Sequence, residues 1–247
     1  MAPSTDQRPV RQHTPGNTSG PYAAGDPFAS VFAPNQAASF GQEHVAYRDQ
    51  TGTIWDCWYD PASSGWSLQQ INLGGRTQGP AAVSGPFIWT WNPSLYGSEF
   101  DDEQHFAYVD ANGRIWDSWY DAPSNNWSLQ QLNLGGRTNG PAAAGGLAVG
   151  VFFDAQQANQ WHVAYRDESG VTWDLWFDGP SKRWNRQQVN LGVATRGPAA
   201  VGDPFLWVWA ASDGNQQLHI TYADGAGKIW DAFWDVTPGQ PGGRAGP

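Results

Sequence analysis

The sequence predicts an all-β protein: a four-bladed β-propeller made of four-stranded antiparallel blades. Three observations predict it. One motif is repeated four times, each copy contains four strand-like segments, and no segment has a helical period of useful length. The first tryptophan of the phrase Ile-Trp-Asp-x-Trp and its variants stands at positions 55, 116, 173 and 230, so the copies lie 57 to 61 residues apart. Tandem units of this kind are typical of propeller blades, and four is the small end of the known range.

Each copy is read as four strands in a fixed order. The innermost strand is represented by residues 204–210, which are apolar throughout and are expected to be buried on both faces. The second strand carries His-x-x-Tyr (44–47) and is followed by Asp-x-x-Gly (49–52), a hairpin turn in which glycine can adopt positive φ. The third strand is the Trp-Asp phrase, and the fourth is Trp-x-x-Gln-Gln-x-Asn-Leu (66–73).

The repeats define the predicted domain organisation. One propeller domain covers residues 7–236, with repeats at about 20–78, 79–139, 140–196 and 197–236. The last repeat lacks a fourth strand, so we expect residues 7–14 to supply one, close the ring and remove an exposed edge. Residues 1–6 and the Pro/Gly-rich residues 237–247 are expected to be disordered.

Composition and charge limit the partners. With 13 basic and 23 acidic residues the net charge is −10, which argues against nucleic acid or an anionic membrane as a partner. No apolar stretch reaches the 18 residues of a membrane span, and the first twenty residues lack the apolar core of a signal peptide. We therefore expect no membrane insertion and a soluble chain that is cytoplasmic or released without a signal peptide. Cys57 is the only cysteine, so no intrachain disulfide forms. The sequence leaves open whether the chain forms a homo-oligomer.

The aspartates and histidines that recur in every copy are expected to serve the fold. Each aspartate of the Trp-Asp phrase should accept hydrogen bonds from the backbone or from its tryptophan neighbour, and each histidine should donate within its blade. The aspartates are Asp56, Asp117, Asp174 and Asp231, and the histidines are His44, His105, His162 and His219. Second-strand histidines lie too far from the axis to converge within about 2 Å of one ion. No metal site and no cofactor are predicted.

The copies alternate at two positions. Copies two and four carry a tryptophan pair on the inner strand, where copies one and three carry a small residue and a phenylalanine; copies one and three carry an arginine at the end of the second strand. The residues concerned are Trp89, Trp91, Trp207, Trp209, Arg48 and Arg166. Large tryptophans beside small residues could simply fill a tight core. In the functional interpretation they line two equivalent clefts, each with an arginine.

Further candidate site residues are repeated on the outer strands and loops. They are Trp58, Trp119 and Trp176 on the third strand, with Arg76 and Arg137 in the Gly-Gly-Arg-Thr loops. Tryptophan offers a rigid apolar face for the C–H side of a sugar ring, and Arg, Asp, Asn and Gln offer directional hydrogen bonds to its hydroxyls. These residues predict a carbohydrate-binding protein with two or four equivalent sites.

The blade pattern resembles that of Photorhabdus-type bacterial propeller lectins. The resemblance rests on Trp-x-x-Gln-Gln-x-Asn-Leu-Gly-Gly, the following Pro-Ala-Ala, and Asp-x-x-Gly-x-Ile-Trp, and it covers residues 20–235. It implies the propeller architecture and binding of glycans, fucose in particular, at several sites between blades. Those lectins have seven blades, whereas this chain has four longer ones, so no individual sugar contact is carried over.

Two other function classes remain open. A propeller can bind a protein through its rim, in which case unrepeated loops should carry the surface. A glycan-active enzyme is less expected, because glycoside hydrolysis needs two carboxylates on either side of the scissile bond. The acids outside the repeated slots are few, and Glu99 to Glu103 form one local acidic run among them. They include Glu43, Glu99, Asp101, Asp102, Glu103, Asp154, Glu168 and Asp213.

Overall fold

The computed structural model of the protein describes residues 18–32, 41–91, 103–153, 159–192, 194–210 and 216–236. This part of the chain holds fifteen β-strands in four antiparallel sheets and no helix. Blade 1 is β1 (Phe28–Phe32), β2 (Gln42–Arg48), β3 (Ile54–Asp60) and β4 (Gly65–Gln70); blade 2 is β5 (Phe87–Trp91), β6 (Glu103–Val109), β7 (Ile115–Asp121) and β8 (Asn126–Gln131). Blade 3 is β9 (Leu147–Phe153), β10 (Asn159–Arg166), β11 (Thr172–Asp178) and β12 (Arg183–Gln188); blade 4 is β13 (Phe205–Ala210), β14 (Gln216–Ala223) and β15 (Ile229–Val236).

The predicted four-bladed propeller is confirmed. In each blade the strands pair in chain order, with the first strand innermost, and the register is the same from blade to blade: His44 lies opposite Trp58, and His105 lies opposite Trp119. The segments expected to close the ring (7–14) and to be disordered (1–6 and 237–247) lie outside the described residues.

The core lies between blades. One cluster joins blades 1 and 2 and includes Ile54 and Phe106. A second joins blades 2 and 3 around Trp161, and a third joins blades 3 and 4 around Leu206. Burial of these apolar side chains holds neighbouring blades together, because each blade covers one face of the next.

The Asp-x-x-Gly turn explains one repeated motif. Asp49 accepts hydrogen bonds from the backbone of Thr51 and Thr53 through Oδ1, and from Trp55 Nε1 through Oδ2 at 2.9 Å. Burial alone would raise the pKa of Asp49, but the hydrogen bonds from Thr51 and Trp55 outweigh it and hold the pKa below its ordinary value. Gly52 has φ of 85°, and a Cβ there would lie 2.7 Å from the carbonyl oxygen of Ala82, so glycine is required.

The hydrogen-bond partners predicted for the aspartate of the Ile-Trp-Asp-x-Trp motif were wrong in one respect. Asp56 accepts from His44 Nδ1 at 3.0 Å and from Gln69 Nε2 at 2.9 Å, while its tryptophan neighbour donates to Asp49 of the turn instead. The Trp55 indole reaches Asp49 because β3 begins at Ile54, directly after the Asp-x-x-Gly turn. The expected histidine donation within the blade is confirmed in all four blades.

A buried asparagine ties each of the first three blades to the next repeat. Asn133 Oδ1 accepts from the Ile115 backbone at 2.8 Å, and its Nδ2 donates to the carbonyls of Gly113 (2.9 Å) and Pro141 (2.7 Å). The equivalents Asn72 and Asn190 make the same three bonds. The asparagine thus joins the third strand, the Asp-x-x-Gly turn and the following Gly-Pro segment.

The expectation that residues 204–210 are buried on both faces was wrong. Leu206 is buried against blade 3, but Phe205, Trp207 and Trp209 on the opposite face of β13 are exposed. An apolar run predicts two covered faces only where a neighbour lies on each side, and within the described residues no core cluster joins blade 4 to blade 1.

Candidate functional site

A cleft of about 360 Å³ opens between blades 1 and 2. Blade 1 contributes the end of β1, residues of β2, β3 and β4, and the Gly-Gly-Arg-Thr loop, while blade 2 contributes residues of β6, β7 and β8 and the turn between β7 and β8. Its lining residues are Phe32, Gln42, His44, Trp58, Gln69, Arg76, Gln104, Tyr120, Asn125 and Trp127. We call this the blade 1–2 cleft.

The blade 1 wall is a continuous chain of polar side chains. His44 Nε2 lies 3.3 Å from Gln42 Oε1, and His44 Nδ1 donates to Asp56. Asp56 accepts from Gln69 Nε2, and Gln69 Oε1 accepts from Arg76 Nε at 2.7 Å. Each planar group fixes the orientation of the next, so donors and acceptors along the wall are held in place before any ligand arrives.

The blade 2 wall is aromatic. Tyr120 and Trp127 pack with ring centroids 5.5 Å apart, and Tyr120 donates from its hydroxyl to Asn125 Oδ1 at 2.9 Å. Phe32 meets Tyr120 edge-on at 6.4 Å and so links the two walls at the inner strand. The cleft therefore combines a polar side with an apolar side.

Gln104 occupies a special position in the cleft. Its side chain is 1% exposed and lines the cleft, and within the described part of the chain its Nε2 has no hydrogen-bond partner. A buried amide N–H without an acceptor costs roughly 1–3 kcal/mol. A ligand oxygen in the cleft would remove that cost.

The same position between blades 2 and 3 is filled. Trp161 is the residue equivalent to Gln104, one place before the blade histidine. Its ring packs 4.6 Å from Trp184, 5.3 Å from Trp89 and 5.6 Å from His105. The indole thus occupies the volume that is open between blades 1 and 2.

The structure brings two of the predicted site residues together in the blade 1–2 cleft, Trp58 and Arg76. Of their equivalents in blade 2, Trp119 stacks on His105, which in turn contacts Trp161, and Arg137 Nε donates to Gln130 Oε1. Trp176 stacks on His162 in blade 3, as Trp58 does on His44. In blade 3 an alanine, Ala194, stands where the other loops carry arginine.

Arg48 and Arg166 lie away from the cleft and bind the backbone. The Arg166 guanidinium donates to the carbonyls of Ala144 (2.6 Å) and Asp167 (3.1 Å), and Arg48 binds Ala24 and Asp49 in the same way. In blade 2 the equivalent residue is Val109, and Ser84 Oγ accepts from its backbone instead. The arginine alternation thus reflects two ways of holding the strand to the preceding segment.

The two tryptophan pairs have different environments. Trp89 is buried, stacks on His105 with ring centroids 4.7 Å apart, and packs on blade 3; Trp91 meets Phe177 edge-on at 5.4 Å. Trp207 also stacks on its histidine, at 3.9 Å, but it and Trp209 are exposed. The environment of Trp89 agrees with the first interpretation of the tryptophan pairs, in which they fill space in a tight core.

His105 is distinguished by a second carboxylate. Its Nδ1 bonds Asp117 at 3.0 Å and its Nε2 bonds Glu103 at 3.1 Å, where blades 1 and 3 have a glutamine. Burial alone would lower the pKa of His105, but the charge of Asp117 and the hydrogen bonds to both carboxylates outweigh it and raise the pKa to about 9. The imidazolium is therefore the form that the folded protein stabilises.

This geometry predicts a pH-dependent contribution to stability. Because the folded pKa of about 9 exceeds the ordinary 6.5, the contribution of His105 is full below pH 6.5 and is lost as the pH rises through 9. Glu103→Gln should therefore be less stable than the wild type at pH 7, with the gap closing by about pH 10. Thermal unfolding of both proteins from pH 6 to 10 measures this. A gap that stays constant with pH would show that Glu103 does not act through the imidazolium.

The cleft residues that the sequence did not single out are Phe32, Gln42, Gln69, Gln104, Tyr120, Asn125 and Trp127. Several stand in slots whose repetition indicates a role in the fold. The available signal was the residue before each blade histidine, which is Glu43, Gln104, Trp161 or Leu218. This position varies among the four repeats although the adjacent histidine is the same in all of them. Such variation indicates that the space between neighbouring blades differs from one pair of blades to the next.

Neither a metal site nor a membrane span is found in the described residues. No three potential metal-binding side chains lie close together there, and no helix has the length and hydrophobicity to cross a bilayer. Of the acids outside the repeated slots, Glu99, Asp101, Asp102, Asp154 and Asp213 lie outside the described residues.

Among known proteins, similarity to this chain was found only in solved structures. No family model and no curated protein sequence matches it. It is similar to AofleA from Arthrobotrys oligospora (11% identity, 84% of this chain and 52% of that one, TM-score 0.53) and to a triple arginine-to-alanine mutant of AofleA (11%, the same coverage, 0.55). It thus spans about half the length of AofleA, and the likeness is one of fold. A fucose lectin from Kordia zhangzhouensis in complex with methyl-fucoside also matches, at 15% identity over 60% of this chain and 92% of that one, with a TM-score of 0.44.

Proposed function

We propose that this protein is a carbohydrate-binding lectin and that the blade 1–2 cleft holds the sugar. The observation that carries the proposal is the pairing of a fixed polar wall with an aromatic wall around Gln104, whose Nε2 has no hydrogen-bond partner among the described residues. The blade pattern shared with the propeller lectins supports the same class of ligand.

A pyranose matches both walls. Its hydroxyls both donate and accept hydrogen bonds, and they would be served by Gln42, Gln104 and the Arg76 guanidinium. Its C–H face would pack on Tyr120 and Trp127, whose rings carry the apolar area of the cleft. A volume of about 360 Å³ lies near the lower end of the range of about 300–1,000 Å³ for ligand sites, which favours a terminal monosaccharide over a long glycan segment.

Fucose is the sugar we propose first. Its methyl group in place of a hydroxymethyl adds apolar surface that suits an aromatic wall, and the resemblance to Photorhabdus-type lectins indicates the same sugar. Galactose and mannose, which carry the polar group at that position, are the natural comparisons.

We propose one such site per chain rather than two or four equivalent sites. Trp161 fills the position between blades 2 and 3. Between blades 3 and 4, Ala194 and the buried Leu218 replace the arginine and glutamine of the cleft. High avidity for a glycosylated surface would then come from several chains acting together.

Binding without catalysis fits the cleft better than hydrolysis does. None of the described residues that line it is Asp or Glu, and Asp56 behind the wall is occupied by His44 and Gln69. Glycoside hydrolysis requires two carboxyl groups facing the scissile bond. We therefore propose a non-enzymatic role.

Calorimetric titration with methyl α-L-fucoside, galactose and mannose tests the proposal, and a matched pair of variants locates the site. Arg76→Ala should weaken sugar binding by about 10-fold or more, because a charge-assisted hydrogen bond is lost. Arg137→Ala removes the equivalent arginine of blade 2 and should leave affinity unchanged. Equal losses in both variants, or no saturable heat with any of the sugars in the wild type, would contradict the proposal.

A further inference from the structure

The blade 1–2 cleft carries a positive charge that no carboxylate of its lining balances. Arg76 is the one arginine or lysine among the described residues that line it, and none of them is Asp or Glu. Arg76 forms no ion pair within the described part of the chain. This local charge stands out in a protein whose net charge is −10.

Most other described arginines use their guanidinium groups within the fold. The Arg166 guanidinium donates to the carbonyls of Ala144 and Asp167, and Arg48 does the same in blade 1. Arg186 donates to a backbone carbonyl at 2.8 Å and lies over the ring of Trp173 at 5.6 Å. In contrast, Arg76 bonds only through Nε, so its two terminal amino groups have no partner in the described chain.

The polar wall holds the Arg76 guanidinium in a fixed orientation. Its Nε donates to Gln69 Oε1 at 2.7 Å, and Gln69 Nε2 donates to Asp56 at 2.9 Å. Asp56 is fully buried and also accepts from His44, so it anchors the wall without contacting the guanidinium. Two parallel N–H groups of an arginine held in this way match two oxygens of one anionic group.

Other groups of the cleft are also donors. Gln104 Nε2 is buried and has no acceptor among the described residues. Asn125 Oδ1 is occupied by the Tyr120 hydroxyl at 2.9 Å, which leaves the Asn125 amide N–H groups, and the Trp127 indole has a donor only. A sugar hydroxyl that accepts from such a donor brings a proton that itself needs an acceptor. An anionic oxygen group only accepts, so it suits this set of donors better.

We propose that the sugar held by the blade 1–2 cleft is acidic, and specifically a fucose that carries a sulfate ester beside Arg76; this inference rests on the proposed function. Fucose has a methyl group at C6 and no carboxyl group, so an acid group on it is an ester of a ring hydroxyl. A sulfate ester carries one negative charge, which matches one guanidinium, whereas a phosphate monoester carries about −1.5 to −2. Its three terminal oxygens match the two terminal amino groups of Arg76 and leave one for a second donor.

The acidity of the whole protein does not oppose such a contact strongly. At an ionic strength of about 0.15 M, charges on the surface are screened over about 8 Å. The charges in direct contact with the ester therefore decide its affinity, and in the described cleft the charge of Arg76 is the nearest formal charge of the lining.

Calorimetric titration with methyl α-L-fucoside and its 2-, 3- and 4-O-sulfates tests this inference, because the three esters place the charge at each free hydroxyl in turn. At least one ester should bind about 10-fold more tightly than the parent fucoside, the gain of a charge-assisted bidentate contact. Its affinity should fall as the salt concentration rises, while that of the uncharged parent should not change.

Two variants of Arg76 and one control assign the preference to the guanidinium. Arg76→Gln removes the charge and should abolish the preference for the ester, whereas Arg76→Lys keeps the charge and should retain part of it. Arg137→Gln changes the equivalent arginine of blade 2, which does not line the cleft, and should leave the preference unchanged. Far-UV circular dichroism confirms that all three variants are folded.

Saturable binding of the parent fucoside with no ester binding more tightly would overturn this inference and leave the proposed function intact. A preference that persists in Arg76→Gln would overturn it too, as would inorganic sulfate that competes as strongly as the ester. No saturable heat with the parent or with any ester would contradict the proposed function itself.

Discussion

Replacing Gln104 with tryptophan is expected to abolish sugar binding while the protein remains folded. The reason is provided by the chain itself: at the equivalent position of blade 3, Trp161 fills the space between blades 2 and 3. An indole at position 104 would occupy the blade 1–2 cleft and exclude a pyranose, so affinity should fall by about 100-fold or more, near the limit of calorimetric detection. The added volume should cost about 1–3 kcal/mol of stability.

Gln104→Leu is the matched control for this variant. Leucine occurs at the equivalent position of blade 4 and is close to glutamine in volume, so it removes the amide while leaving the cleft open. It should weaken binding by about 10-fold, the loss of one or two hydrogen bonds. If Gln104→Trp folds and binds the sugar as the wild type does, the ligand does not occupy the blade 1–2 cleft.

Replacing Asn133 with alanine should cause a large loss of stability without touching the cleft. Asn133 is fully buried, and its three hydrogen bonds join blade 2 to its own turn and to the start of blade 3. The substitution removes three buried hydrogen bonds and leaves the Ile115 N–H without its acceptor, so the free energy of unfolding should fall by about 3 kcal/mol. The carbonyls of Gly113 and Pro141 keep the Ala143 N–H (2.9 Å) and the Tyr165 hydroxyl (3.2 Å) as donors. Denaturant unfolding followed by tryptophan fluorescence measures the change.

Asn139→Ala is the control, since Asn139 lies on the same loop with an exposed side chain. It should change the free energy of unfolding by less than about 0.5 kcal/mol. Equal effects of the two substitutions would mean that the buried asparagine does not link the blades as its hydrogen bonds indicate.

The fold was predictable because its signals are local and repeated. The turn at Asp49 and Gly52 is specified by two residues three positions apart, and the same residues recur in all four copies. The Gly-Pro motif has a comparable explanation: a Cβ at Gly79 would lie 2.0 Å from the Tyr108 hydroxyl of the same repeat, so the repeated tyrosine requires glycine at this position. Motifs of this kind report the blade and its register without any knowledge of the neighbouring blade.

The candidate site was only partly predictable, because it lies between blades. Trp58 and Arg76 were identified from their chemistry, but nothing in one repeat says that they face Gln104 and Trp127 of the next. The same limitation explains the tryptophan pairs. Trp89 and Trp207 look alike in sequence, and they differ because blade 3 covers one face while the other is open in the described chain.

A crystal structure of the protein with methyl α-L-fucoside would show directly where the sugar binds. We expect one sugar per chain in the blade 1–2 cleft, with a hydroxyl accepting from Gln104 Nε2 and the ring packed on Tyr120 or Trp127. A sugar bound instead beside Trp119 and Arg137, or on the face formed by Trp207 and Trp209, with the blade 1–2 cleft empty, would contradict it.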